Sequence, residues 1–195
     1  MIDVIDYQHI INIFYRFISY NYFLYRMPLN LYTVFLRKSF VLKLVFLSVG
    51  KPNEPYIKEG IDNFTKRIGH YYPIQWQLIP PAKATEADQI KKAEAQSILK
   101  AISATDVLIL LDETGTMLSS PGLAKLIQQK ANQSAQRIVF LIGGAYGVAH
   151  EVKQRAQFTW SLSELVFPHM LVRLILAEQV YRACSILANE KYHHE

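Results

Sequence analysis

Ile138 to Gly147 reads IVFLIGGAYG: five apolar residues in a row, then a turn with three glycines. An apolar run of that length suits a strand buried on both faces of a parallel sheet. Glycines just past its end let backbone N–H groups come close to a ligand, because no Cβ stands in the way. In an open α/β sheet, ligands bind beyond the carboxyl ends of the strands. The turn Gly143, Gly144, Ala145, Tyr146, Gly147 is therefore where the chemistry is expected. Downstream come a brief helical stretch and a second strand at Phe158 to Ser161. The irregular apolar run Leu162 to His169, one long helix and the polar tail Lys191 to Glu195 complete the chain.

Working back from that turn, the pattern is regular from Lys43 onward. Leu44 to Val49 is a buried strand ending in Gly50, and Ile57, Ile61, Phe64 and Ile68 then repeat at helical spacing. Ile74 to Ile79 is a second strand, stopped by Pro80 and Pro81. Thr85 reads as the N-cap of a helix running to about Ile102, with Ile90, Ala93, Ile98 and Leu99 inward. Val107 to Leu111 is a third strand, which delivers Asp112 and Glu113 to its carboxyl end. Ser120 and Pro121 read as N-cap and N1 of the next helix. Strands alternating with helices predict a doubly wound α/β fold with a mostly parallel sheet, in a single domain, 41–195.

Residues 1–40 do not share this pattern. They hold eleven of the chain's twenty-four Phe, Tyr and Trp residues and no glycine. The run Ile10 to Tyr25 is apolar and aromatic but is broken by Arg16, Ser19 and Asn21, which makes it a poor membrane span. Three readings stand open: a membrane contact, an extra packed helix, or a start codon placed too early, with Val41 or Leu42 as the true beginning. Removing the four basic and two acidic residues of 1–40 leaves 17 basic against 14 acidic.

The whole chain of 195 residues carries a net charge of +5, which permits a nucleic-acid partner without requiring one. A single cysteine, Cys184, excludes an internal disulfide and fits a buried thiol in a reducing cytoplasm. The glycine turn is neither a Rossmann fingerprint nor a P-loop. Asp112 and Glu113 have no second acidic cluster to complete an oxygen-ligand shell, so no metal is expected. The run Leu162, Ser163, Glu164, Leu165, Val166, Phe167 reads either as a buried loop whose backbone would suit an adenine or as an irregular edge strand in the core. The last helix is apolar on two stripes. Val172, Leu176, Val180, Ala183 and Leu187 form one; Leu171, Leu174, Ile175 and Tyr181 form the other. A helix covered on two sides implies a partner as well as a sheet. Arg173, Glu178 and Arg182 interrupt the helix, with Glu178 and Arg182 at i,i+4 spacing, either as structural ion pairs or as RNA or substrate contacts.

LIGGAYG from Leu141, WSLSELVFPHMLVRLILAEQVYRA from Trp160 and the terminal YHHE from Tyr192 follow one another in this order. Together they resemble the ribosomal RNA large subunit methyltransferase H family, minimal SPOUT-class enzymes, over Lys43 to Glu195. The resemblance implies a C-terminal trefoil knot and a homodimer whose active site lies near the subunit interface. It implies methyl transfer from S-adenosylmethionine to N3 of a pseudouridine in the helix 69 loop of 23S ribosomal RNA, on the assembled ribosome in the cytoplasm. It assigns Leu111, Gly143 and Leu162 through Phe167 (Ser163, Glu164, Leu165 and Val166 between them) to the cofactor. It places His169 and Arg173 on the substrate side and Arg182, Tyr192 and His193 in catalysis. The penultimate position, often arginine in the family, is His194 here, a group only partly charged near neutral pH.

Overall fold

The computed structural model describes residues 42–192, and among these five strands alternate with five helices. They are β1 (Lys43–Val49), α1 (Pro55–Ile68), β2 (Ile74–Ile79), α2 (Ala87–Ala101), β3 (Val107–Met117), α3 (Ser120–Asn132), β4 (Arg137–Ile142), α4 (His150–Arg155), β5 (Phe158–Ser161) and α5 (His169–Leu187). All strand pairs are parallel, in the order β2-β1-β4-β3-β5. The expectations for 1–40, including the apolar run Ile10 to Tyr25, lie outside the described residues, as do His193, His194 and Glu195. Among the described residues no helix is long and apolar enough to cross a membrane.

The period of two along each strand sorts the core into two layers. Leu44 and Phe46 of β1, Ile109 and Leu111 of β3, and Ile138, Phe140 and Ile142 of β4 face α1, α3 and α5. Val45, Leu47, Leu108, Leu110, Val139 and Leu141 face α2 and α4 on the other side. The result is a sheet covered on both faces, which is why the strands read as unbroken apolar runs. The chain leaves β1 for β2 on one side and β4 for β5 on the other. The gap between β1 and β4 is thus the topological switch point, where a crevice opens at the carboxyl edge.

The boundaries differ from the sequence expectation in three places. Helix α2 begins at Ala87 after Glu86, which makes no side-chain cap, so Thr85 is not its N-cap. Its inward residues are Glu94, Ala95 and Ile98, whereas Ala93 is exposed. Ser119, not Ser120, caps α3, its Oγ accepting the Gly122 N–H at 3.2 Å. Strand β3 runs on past Leu111 to Met117, with a shift of register between Leu111 and Thr116, both opposite Trp160. The apolar pattern stops at Asp112, so this bulged extension carries no period for a reader to follow.

Candidate active site

Two cavities lie along the carboxyl edge of the sheet, one on either side of the turn after β4. The turn is closed by the Gly147 N–H donating to Gly144 O at 2.9 Å, with Gly147 at φ 75°. A Cβ on Gly143 would come within 2.7 Å of Val148 Cγ1, and one on Gly144 within 2.2 Å of Glu94 Oε2. A side chain at either position would have to displace Val148 or Glu94.

The first cavity, about 610 Å³, opens beyond the ends of β3, β4 and β5. Leu111, Ile142, Gly143, Leu162 and Phe167 line it, with Ser163, Leu165 and Val166 at its mouth. Of the residues assigned to the cofactor by resemblance, only Glu164 is absent from the lining. The loop 162–168 is not buried, as one of the two sequence readings had it: Leu165 is 69% and Val166 85% exposed. It is instead held by short local bonds. Ser161 Oγ donates to Ser163 O at 2.9 Å, and the Leu165 N–H donates to Ser163 Oγ at 3.0 Å.

The polar groups of this cavity were only partly legible from sequence. Asp112 pairs with Lys153 at 2.8 Å and accepts from the Thr114 N–H at 3.0 Å. Burial opposes its charge, but Lys153 and Thr114 outweigh that and hold the carboxyl below its ordinary range. Glu113 stays exposed at the rim. Trp160, a lining residue that sequence reasoning did not assign to the site, is 3% exposed, and its Nε1 donor has no partner among the described residues. An orphaned buried donor of this kind is what a bound ligand satisfies.

Apolar walls for an adenine, close-approaching turn backbone, an unpaired indole N–H and exposed carboxylate at the rim together fit S-adenosylmethionine. Among the described residues no three His, Cys, Asp or Glu side chains gather into a group able to hold a metal.

The second cavity, about 940 Å³, lies at the switch point, between the ends of β1 and β2 and the first turn of α5. Gly144, Ala145, Tyr146 and His169 belong to both cavities. His169 opens α5, and burial, then the charge of Arg173, hold its ring below the ordinary 6.5. Arg173 is buried, and its guanidinium donates to Ser48 Oγ (2.9 Å), Lys51 O (2.8 Å) and Asn53 Oδ1 (2.7 Å). These bonds make it a post that ties the loop after β1 to α5, not a free cation awaiting a phosphate. The sequence offered it a structural ion pair or a substrate contact; its partners are neutral oxygens instead.

Arg182 and Tyr192 line neither cavity of their own chain. Arg182 donates from Nε and Nη2 to Glu178 Oε1 at 3.0 and 2.6 Å, and its guanidinium covers the Tyr192 ring at 4.8 Å. The Tyr192 hydroxyl donates to the same oxygen at 3.2 Å, and its ring meets Tyr181 edge-on at 4.6 Å. The tail is thus stowed against α5 as far as it is described. Cys184 is a buried thiol pushed up to about 12 by desolvation.

Comparison with known proteins shows the family. A family model described as "Predicted SPOUT methyltransferase" matches residues 42–193. A protein of Cytophaga hutchinsonii named ribosomal RNA large subunit methyltransferase H is 43% identical over 155 residues, covering 78% of this chain and 100% of the relative. Proteins of the same name from Flavobacterium johnsoniae and Parabacteroides distasonis are each 39% identical, over 157 and 158 residues, covering 79% of this chain and 100% of each relative.

Proposed function

The chain belongs to the SPOUT methyltransferase family, in the group named ribosomal RNA large subunit methyltransferase H, and from that premise we propose that it methylates large-subunit ribosomal RNA with S-adenosylmethionine. The target is N3 of a pseudouridine in the helix 69 loop of 23S rRNA, modified on the assembled ribosome in the cytoplasm. The observation that carries the reading is 43% identity running the whole length of a relative of that name. The family's trefoil knot is proposed on the same footing.

In this reading Leu111, Leu162 and Phe167 hold the adenine faces of the cofactor, and the turn Gly143 to Gly147 brings backbone N–H groups close to it. The Trp160 indole donates one hydrogen bond, and the Glu113 carboxylate accepts from the cationic or hydroxyl groups at the mouth. The bound cofactor supplies an activated sulfonium methyl. What remains for the protein is alignment and removal of one proton. N3 of the base carries a hydrogen that must leave before its lone pair can attack, and an imidazole suits that task near neutral pH. His193 is the proposed acceptor, with Tyr192 and Arg182 orienting the base and meeting charge on its carbonyl oxygens. His169, neutral at working pH and shared by both cavities, is placed to accept a hydrogen bond beside it.

A homodimer belongs to the same proposal. Tyr192 and Arg182 line neither cavity of their own chain, which supports a site completed by a second copy. Nucleoside mass spectrometry of rRNA from cells lacking the protein tests the function. Loss of N3-methylpseudouridine from the large subunit is expected, and its persistence at the normal level would refute the reading.

A further inference from the structure

A buried carboxylate ordinarily has a partner for each oxygen. Glu94, on the inward face of α2, is 4% exposed. Its Oε1 accepts from the Ala82 N–H at 3.3 Å, while its Oε2 has no partner among the described residues. Burial raises its pKa above the ordinary 4.5. Helix α2 could have presented Ala93 there at no such penalty, so the fold keeps an unsatisfied acid in the wall of the second cavity.

The surroundings narrow what would satisfy it. Oε2 lies directly under Gly144, the residue that separates the two cavities. A group seated against Glu94 is thus a neighbour of whatever occupies the first cavity. Beside it Val49, Ile57 and Ile90 give an apolar wall, Lys51, Glu54 and Arg173 give charged groups, and Tyr56 stands 78% exposed at the rim, free to stack. An aromatic ring with a polar edge that donates a hydrogen bond fits this lining.

Resting on the reading of the protein as a pseudouridine N3 methyltransferase, we propose that the second cavity receives the target base, swung out of the RNA, and that Glu94 selects it by accepting the N1–H of pseudouridine. Uridine is joined to its ribose through N1 and has no hydrogen there. Pseudouridine is joined through C5, so its N1 keeps one. The N1–H donates to Glu94 Oε2 in the correct complex, whereas uridine leaves that oxygen unpaired in a closed site. Sites built to meet a substrate's donor reject analogues that lack it for this reason.

The test uses whole ribosomes carrying either pseudouridine or uridine at the target position, and the full-length protein. For wild type, kcat/KM strongly favours pseudouridine. Glu94→Leu, which removes the acceptor without adding a polar group to bury, is expected to shrink that preference by about 10-fold or more, with S-adenosylmethionine affinity by calorimetry nearly unchanged. Glu94→Gln keeps an acceptor oxygen and should fall between the two. An unaltered preference, or a parallel loss on both ribosomes with weakened cofactor binding, overturns the proposal and makes Glu94 a support for the turn only. Ile90→Trp fills the cavity from another wall. It should abolish ribosome methylation while sparing cofactor binding, and full activity in that variant also overturns the proposal. Wild type that methylates neither ribosome, or both equally, fails at the underlying reading instead, and is recognised before any variant is made.

Discussion

Arg173 and Glu94 bring opposite charges into the wall of one cavity by different means. Arg173 has three protein oxygens for its donors, from Ser48, Lys51 and Asn53. Arg173→Lys keeps the charge but replaces a planar fork by one nitrogen, and is expected to destabilise the fold by about 2 kcal/mol in urea unfolding. Glu94 is the reverse case, because its folded-state pKa is raised. Below the ordinary value of 4.5 the group is neutral in both folded and unfolded chains and its ionisation has no effect. As pH rises through the folded-state value, the native state bears a desolvated charge and loses stability. Glu94→Gln should therefore raise the melting temperature at pH 7.5, with the gain vanishing below pH 4.5; a gain equal at both would contradict the burial argument. Neither residue's role was legible in the sequence. A charge on a helix reads as solvated, and placing Ala93 inward instead of Glu94 needs only a one-residue error in helix phase. Leu111 and Gly143 were legible because each ends an apolar strand run, and the strand end is where a parallel sheet binds.

The last helix, α5, shows how far a hydrophobic pattern goes. Both stripes are present, yet they are not equivalent. Leu176, Val180 and Ala183 are fully buried in the chain's own core, while Leu171, Leu174 and Ile175 are only half-buried. A charge at Leu176 or Val180 thus attacks the fold itself. One at Ile175 attacks association: Ile175→Glu should melt near wild type but shift light scattering from dimer to monomer, and activity should fall with it. An unchanged dimer would remove α5 from the interface. The sequence could not rank the stripes, since period alone does not say which face meets a sheet and which a second copy. The tail belongs to the same element. Tyr192 packs on Tyr181 beneath Arg182, so removal of Tyr192 to Glu195 should leave cofactor affinity nearly intact. Turnover on ribosomes should drop by about 10²-fold or more, the low end for a positioned acid–base group. His193→Ala should account for most of that, and His194→Ala for much less.

At the scale of the whole molecule, the alternating pattern from Lys43 predicted the parallel α/β sheet, and every strand begins within a residue of its expected place. The family match spans 42–193 and leaves residues 1–40 aside. A protein beginning at Val41 is expected to fold, dimerise and methylate like the full chain, and insolubility of that form would show the aromatic segment to be a working part of it. The broadest claim, that this chain methylates pseudouridine on assembled ribosomes, is open to one direct measurement. Purified protein, labelled S-adenosylmethionine and whole ribosomes bearing the helix 69 pseudouridine should yield labelled N3-methylpseudouridine, while ribosomes with uridine there stay unlabelled. Equal labelling of both, or none on either, would contradict it.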